Sequence, residues 1–262
     1  MVNVQFEDIW FRFPGSKNNI LSSINWNIDM NGSIGILGTN GSGKTTFLKL
    51  IAGILSASRG IIRIDDKIIK GTKSAKKKVV YVPENAKLFL IGPTPRKDLY
   101  RIIHDKKHAD SLIDRFNFNK IADKKLYHLS EGQRRLFAIF SAFQTSSHII
   151  LLDEPTIALD SNGRNTLFEL LRYAKSEKKL VLIATNDPRI YPITDELIVI
   201  HEGHLRLQGK PYEVLYRLEE ETDLVPNQIV SLINSVEREK GIKIPHCISV
   251  KELNKILARK GE

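Results

Sequence analysis

Residues 38–45 read GTNGSGKT and stand between an apolar run at 34–37 and a segment with helical periodicity at 46–55. This order of buried strand, glycine-rich turn and helix is the setting of the phosphate-binding loop G-x-x-x-x-G-K-[ST]. The glycines let the backbone turn tightly enough for its N–H groups to face an anion, and the helix N-terminus adds a partial positive charge. An accidental glycine-rich turn is the alternative, which both flanking elements disfavour. We therefore expect an α/β protein built around this turn.

The polar residues of this loop suit a nucleoside triphosphate. Lys44 supplies a point charge for the β- and γ-phosphates, and Thr45 offers a hydroxyl to Mg²⁺. The residues expected to contact the nucleotide here are Asn40, Gly41, Ser42, Gly43, Lys44, Thr45 and Thr46.

A second polar segment follows an apolar strand. Residues 148–155 read HIILLDEP, so the strand ends in two carboxylates. Asp153 suits a water-mediated contact to Mg²⁺, and Glu154 suits polarising an attacking water. A solvated strand end is the alternative, which is less attractive in a chain that carries a phosphate-binding loop.

The distribution of apolar residues predicts two kinds of sheet. Unbroken, β-branched runs are typical of parallel strands covered on both faces, and they lie at 34–37, 79–82, 149–152, 180–184 and 197–200. Alternating runs predict an antiparallel flank, and they lie at 2–6, 10–13 and 24–29. A further hairpin is expected over 198–207, with its turn at Glu202 and Gly203.

Composition excludes several classes of protein. The 262 residues carry a formal net charge of +10 and are 42% hydrophobic, the balance of a globular chain rather than a disordered one. The single cysteine, Cys247, cannot form a disulfide within the chain, which predicts a reducing compartment. No apolar run in the sequence approaches the ~18 residues needed to cross a bilayer. The basic run at 73–78 has no interleaved aromatics, so we expect a solvated loop and no nucleic-acid partner.

Four motifs in order resemble those of an ABC-type ATP-binding subunit. They are GTNGSGKTT at 38–46, LSEGQ at 129–133, LLDEP at 151–155 and ALD at 158–160. The resemblance implies an α/β P-loop NTPase core with a mostly parallel sheet and an antiparallel β flank. It also implies a nucleotide-binding domain at 1–208 with a helical insert at about 85–146, followed by a C-terminal helical extension at 209–262.

The same resemblance implies ATP and Mg²⁺ as ligands and a head-to-tail dimer that holds two ATP. Phe13 takes the aromatic position that stacks on adenine, with a core phenylalanine as the alternative. The residues implied to meet the ATP or the surface of another subunit are Ser130, Gly132, Gln133 and Asp160.

Three positions depart from the pattern of that family. Glu131 replaces a commoner glycine; it suits a helix N-terminus but adds negative charge near a phosphate. Glu84 stands where the family usually has glutamine; it can contact Mg²⁺ but repels the γ-phosphate. Asn186 stands where the family usually has histidine; it can donate a hydrogen bond but cannot shuttle a proton. We hypothesise that hydrolysis involving Glu84 and Asn186 is weakened.

The remaining segments decide between classes of ABC protein. The stretch between Asn85 and Leu129 has no sustained heptads, unlike a chromosome-maintenance ATPase, and one phosphate-binding loop argues against a translation-type protein. The segment LVPNQI at 224–229 and the helical pattern after it resemble the extension of energy-coupling-factor importer ATPases, which helps their dimerisation. An amphipathic cap on the chain's own domain is the alternative for this extension.

The leading hypothesis is therefore the motor subunit of an energy-coupling-factor-type importer for a metal ion or vitamin. Its implied partners are membrane-spanning subunits, bound through the helical insert, and a second ATPase subunit. Its implied location is cytoplasmic, on the inner face of the cell membrane. An exporter-type ATPase, favoured by Glu84, and a slow-turnover ATP-dependent clamp remain alternatives.

Overall fold

The computed structural model describes residues 1–241 and 243–260. Its strands are β1 (Val2–Phe11), β2 (Leu21–Met30), β3 (Gly32–Leu37), β4 (Arg59–Ile64), β5 (Lys67–Ile68), β6 (Val79–Val82), β7 (Ile149–Asp153), β8 (Leu180–Ala184), β9 (Glu196–His201) and β10 (His204–Gly209). Its α-helices are α1 (Lys44–Ile51), α2 (Thr72–Ala75), α3 (Pro95–Ile102), α4 (Lys106–Arg115), α5 (Asn119–Ala122), α6 (Glu131–Phe143), α7 (Ser161–Ser176), α8 (Pro211–Glu221), α9 (Gln228–Lys240) and α10 (Val250–Lys260).

The central sheet has six strands in the order β10-β9-β3-β8-β7-β6. Strand β3 pairs in parallel with β8 and β9, and β7 pairs in parallel with β8 and β6. Every residue of β3, β7 and β8 is buried, which explains why these strands are unbroken apolar runs. The hairpin of β9 and β10 is also confirmed, with Glu202 and Gly203 both at positive φ in its turn. The expectation of a mostly parallel sheet is therefore confirmed.

The antiparallel flank is a four-stranded sheet in the order β2-β1-β4-β5. The prediction of a separate strand at 10–13 was wrong, because Trp10 and Phe11 belong to β1 and Phe13 lies beyond its end. A bulge explains the error. Asp8 has a φ of 47°, and the pairing of β1 with β2 shifts register between Phe6 and Ile9. A bulge adds one residue to the pattern of alternating faces, so one strand looks like two in the sequence.

The helix after the phosphate-binding loop was predicted at 46–55 but runs from Lys44 to Ile51. Gly53, at a φ of 64°, lies just beyond its C-terminus, where a left-handed residue commonly ends a helix. Leu55 still packs partly buried against the same apolar cluster as the helix, so the apolar pattern continues after the helical backbone has stopped.

The central sheet separates two apolar clusters. One joins the sheet to α1 and the antiparallel flank, and the other joins it to helices α3–α8. Val214, Leu215 and Leu218 of α8 lie in this second cluster, together with Val230 and Ile248 further along. The segment expected to be an extension therefore shares the core of the domain that precedes it. Among the helices of the described residues, none has the length and apolar character of a membrane span.

Candidate nucleotide site

A cleft of about 920 Å³ opens beside the phosphate-binding loop, beyond the carboxyl ends of β3, β7 and β8. The edge formed by the carboxyl ends of parallel strands is where open α/β sheets bind their ligands. The predicted site residues that line this cleft are Phe13, Asn40, Gly41, Gly43, Lys44, Thr45, Thr46, Glu84, Glu154 and Asn186. The structure thus brings together residues that are as much as 173 positions apart (186−13=173).

The loop wraps around its own lysine. Lys44 Nζ donates to the carbonyl oxygens of Gly38 at 2.8 Å and Thr39 at 3.0 Å. Burial lowers the pKa of the Lys44 ammonium, while the nearby Glu154 and Asp153 carboxylates oppose that change. Position 38 has no room for a side chain, because a Cβ there would lie 2.2 Å from the carbonyl oxygen of Ile200. The loop therefore holds a cation at the floor of the cleft.

Two predicted contacts lie beneath the cleft wall rather than on it. Ser42 is buried, and its hydroxyl has no hydrogen-bond partner in the part of the chain that the structure describes. Asp153 is 5% exposed and sits behind Thr45, whose Oγ1 donates to Asp153 Oδ1 at 2.9 Å. Thr45 is thus the group between the Asp153 carboxylate and the cleft.

Tyr81 on β6 holds the second oxygen of this carboxylate. Its hydroxyl donates to Asp153 Oδ2 at 2.8 Å, and burial together with Asp153 raises the pKa of the phenol far above its ordinary value. Tyr81 therefore remains a donor. Sequence reasoning missed it, because β6 and β7 are neighbours in the sheet but 67 positions apart in the chain (149−82=67).

The residues around Thr45 suit a hard cation. A hydroxyl on Thr45, a carboxylate on Asp153 and a second carboxylate on Glu84 form a donor set made of oxygen. Mg²⁺ prefers oxygen ligands and is commonly held by one or two carboxylates plus phosphate oxygens. The donor set therefore fits Mg²⁺, with Glu84 on the exposed side of the cleft.

Glu154 is fixed at its main chain and at its side chain. Its φ of 47° is in the left-handed region, which costs roughly 1–2 kcal/mol for a residue with a side chain. Its backbone N–H donates to Ala184 O at 2.8 Å, and Thr185 Oγ1 donates to its Oε2 at 3.1 Å. Burial raises the pKa of Glu154, although Thr185 and Lys44 act in the opposite direction. A raised pKa makes this carboxylate a stronger base than an exposed one.

Asn186 connects two walls of the cleft. Its Nδ2 donates to Asn40 Oδ1 at 2.7 Å, which joins the segment after β8 to the phosphate-binding loop. Arg189, which sequence reasoning missed, lines the same wall and forms a bidentate pair with Asp187, Nε to Oδ1 at 2.7 Å and Nη2 to Oδ2 at 2.8 Å. This pair lowers the pKa of Asp187 against the effect of burial. A cation thus lies near the position where the sequence lacks a histidine.

The remaining predicted residues form a different cleft. Ser130, Gly132, Gln133 and Asp160 line a space of about 360 Å³ beside Phe118 and Ala158, and none of them lines the first cleft. Ser130 caps α6: its Oγ accepts from Gln133 N at 3.1 Å, and its N–H donates to Gln133 Oε1 at 3.1 Å. The motif residues of this chain are therefore divided between two separate surfaces.

The first cleft defines the class of protein. A glycine-rich loop between strand and helix, its buried lysine, and strand-end carboxylates beside its threonine are the parts of a P-loop nucleotide-binding site. Residues 21–157 match the family described as ABC transporter. The chain belongs to this family.

Several curated relatives cover nearly the whole chain. One is the energy-coupling factor transporter ATP-binding protein EcfA of Methanocaldococcus jannaschii, which is 26% identical over 97% of this chain and 96% of its own length. Another is EcfA2 of Caldanaerobacter subterraneus, which is 31% identical over 86% of this chain and 84% of its own length.

Solved structures agree on the fold. The chain is similar to cbiO1 of Clostridium perfringens, part of the ABC transporter complex cbiONQ, with a TM-score of 0.72 and 27% identity over 91% of this chain and 95% of that one. A dimeric ATP-binding cassette bound to ADP and Pi gives a TM-score of 0.70 at 24% identity, over 79% of this chain and 98% of that one. The second likeness supports the fold alone. The α/β architecture expected from the sequence is therefore confirmed.

Proposed function

We propose that this chain is the ATP-hydrolysing motor subunit of an energy-coupling-factor-type ABC importer. The observation that carries the proposal is the single cleft that gathers Lys44, Thr45 and Glu154. The names of the relatives, energy-coupling factor transporter ATP-binding proteins, supply the type of transporter. We propose a metal ion or a vitamin as the transported substrate, which this subunit itself does not contact.

In this proposal each residue of the cleft has one task. Lys44 neutralises charge on the β- and γ-phosphates, and Phe13, 46% exposed at the rim, stacks on adenine. Thr45 and Glu84 would offer oxygen donors to Mg²⁺, and Asp153, behind Thr45, would contact it through water. When bound, Mg²⁺ would neutralise negative charge on the phosphates. Glu154 orients and polarises the water that attacks the γ-phosphorus as the bond to the β–γ bridging oxygen breaks.

A second subunit completes the site in this proposal. Ser130, Gly132 and Gln133 lie on a surface of their own, where they are available to the nucleotide of a partner, and Asp160 lies beside them. The C-terminal segment also exposes apolar side chains, while its Val230, Ile233 and Ile248 are buried. The exposed side chains are Val225 at 76%, Leu232 at 52% and Val250 at 61% exposure. We propose that these side chains contribute to dimerisation, in addition to the packing of α8 on its own domain.

The membrane partner is proposed to dock on the helical insert. Leu88, Ile91 and Tyr127 are each about three-quarters exposed, at 75%, 74% and 74%. The segments that carry them are joined where Leu126 N–H donates to Pro93 O at 3.3 Å. We propose that these exposed apolar side chains receive the short helices of a membrane-spanning subunit at the inner face of the cell membrane. The nearby Asp98 is buried and accepts from Ile91 N and Gly92 N, so it is not offered to a partner.

A slow-turnover clamp is the second candidate, and one observation favours it. The Asn186 amide is hydrogen-bonded to Asn40 and cannot shuttle a proton. In a clamp, ATP binding without hydrolysis would switch the partner protein.

One experiment separates the two candidates. Mg²⁺-dependent ATP turnover is measured for the purified chain and for Glu154→Gln, with ATP binding followed in parallel. Turnover that Glu154→Gln abolishes supports the motor. ATP binding without turnover, unchanged when the membrane partner is added, supports the clamp. Absence of ATP binding contradicts both.

A further inference from the structure

Arg135 is a buried charge that the proposed reaction does not use. It lies in the first turns of α6 and is 2% exposed, which makes it one of the largest fully buried side chains among the described residues. Its Nη1 donates to the backbone oxygen of Glu154 at 2.6 Å, and its Nη2 donates to Glu131 Oε1 at 3.1 Å. Its Nε has no hydrogen-bond partner within residues 1–241 and 243–260. The guanidinium therefore has two partners, and these belong to two different motifs.

The Glu131 carboxylate is the counter-charge of this guanidinium. Its side chain is 60% exposed, and the residue stands between Ser130 and Gly132 in the signature segment, residues 129–133. A buried cation that loses its partner is strongly destabilised, so Arg135 depends on Glu131 more than Glu131 depends on it. The glutamate that departs from the family pattern thus has a structural task in this chain.

The other partner is the backbone of Glu154. A left-handed residue persists only where its surroundings hold it, and here the N–H is held by Ala184 and the oxygen by Arg135. Release of the oxygen removes one of these two restraints. Relaxation of the backbone toward ordinary φ would then carry the side chain away from Thr185, whose Oγ1 now lies 3.1 Å from Glu154 Oε2.

We propose that Arg135 is a positioning residue that ties the signature segment to the Glu154 carboxylate of the same subunit, with Glu131 setting the strength of that tie. The inference rests on the proposed function, because it assigns Glu154 the role of polarising water. Electrostatic repulsion sets the direction of this coupling, from the signature segment to Glu154. A γ-phosphate docked at Ser130 and Gly132 places negative charge beside Glu131. The hydrogen bonds to Glu131 and to the Glu154 carbonyl come from one rigid, planar guanidinium. A displacement of Glu131 therefore also moves the donor that binds the Glu154 carbonyl oxygen.

The test uses the full chain with three substitutions. Arg135→Met keeps the aliphatic volume and removes both donors, Arg135→Lys keeps the charge, and Glu131→Gln keeps an acceptor without the charge. Arg172→Met, at an exposed position of α7, is the control for loss of an arginine. We expect Arg135→Met to lower kcat at least about tenfold with KM for ATP within about twofold, and Arg135→Lys to recover part of that loss. We expect the kcat of Glu131→Gln to lie between those of wild type and Arg135→Met.

A second readout does not require turnover. In crystals of Arg135→Met, residue 154 should leave positive φ and the Thr185–Glu154 hydrogen bond should be lost; if that variant does not fold, Arg135→Lys is used for the same comparison. A folded variant with wild-type kcat, or with residue 154 still left-handed, overturns the inference. If the wild-type chain has no ATPase activity, the proposed function fails, and the backbone of residue 154 still decides this inference.

Discussion

Tyr81→Phe isolates the hydrogen bond that supports the buried Asp153 carboxylate. The substitution removes one oxygen and leaves the ring. In the native structure the phenol donates to Asp153 Oδ2 at 2.8 Å, and Thr45 serves the other oxygen at 2.9 Å. Because Asp153 is 5% exposed, water replaces the lost donor poorly. The variant should therefore fold but be less stable.

The expected size follows from the charge on the acceptor. Hydrogen bonds to charged groups contribute about 1.5–3 kcal/mol, whereas typical neutral ones contribute about 0.5–1.5 kcal/mol. For a chain of this size, a loss of that order lowers the melting temperature by roughly 3–12 °C. The assay is thermal or urea unfolding of the nucleotide-free protein without Mg²⁺.

Tyr191→Phe is the matched control. Tyr191 is also buried, but its hydroxyl donates to a neutral acceptor, the backbone oxygen of Thr185, at the longer distance of 3.4 Å. The chemical change is identical and the lost bond is weaker, so the loss of stability should be smaller. Equal losses for the two variants would refute the assignment of a charge-assisted bond to Tyr81.

Three further predictions concern the cleft. Gly38→Ala places a Cβ 2.2 Å from Ile200 O, so ATP binding should be lost and the protein destabilised by about 1–3 kcal/mol; normal ATP binding in a titration would contradict the close approach. Glu154→Gln removes a carboxylate whose pKa is raised by burial. The Glu154 carboxyl of the folded protein therefore binds its proton more tightly than the same group in the unfolded chain. As pH rises from the pKa of the unfolded state to that of the folded state, Glu154 increasingly destabilises the fold. Glu154→Gln should thus be more thermally stable than wild type at neutral pH, but not at a pH below the pKa of the unfolded state. An equal gain in stability at the two pH values would contradict a raised pKa for Glu154. Asn186→His should raise the ATPase rate, because the imidazole can carry a proton and the amide cannot; an unchanged rate would mean that residue 186 does not limit hydrolysis.

The parts of the fold that sequence reasoning predicted well are those that a short segment specifies by itself. The phosphate-binding loop needs glycines within a few residues of a strand and a helix, and all of these are adjacent in the chain. Buried parallel strands such as β7 and β8 are short, unbroken apolar runs, because both faces of the sheet are covered. Errors occurred where a local irregularity altered the pattern, as at the bulge beside Asp8 and at Gly53 after α1.

Sequence reasoning named motif residues that line the cleft, but not three side chains that bond to these residues or to their neighbours. Tyr81, Arg135 and Arg189 carry no sequence signal of their own, since a tyrosine in a strand and an arginine in a helix are ordinary. Contacts in the folded chain distinguish them: Tyr81 bonds to Asp153, Arg135 to Glu131 and the Glu154 carbonyl, and Arg189 to Asp187.

The sequence by itself determined that this chain has a P-loop, parallel strands that end in carboxylates, and the motif order of its family. Tertiary structure decided which strand ends lie side by side, since the sheet order β3-β8-β7-β6 brings Asn186 to Asn40 across 146 positions and Tyr81 to Asp153 across 72. It also decided that α8 packs into the same apolar cluster as α6, α7 and the central sheet. The physical reason is that local patterns record burial and backbone conformation, whereas the packing of distant elements sets which polar groups meet and how their charges are held.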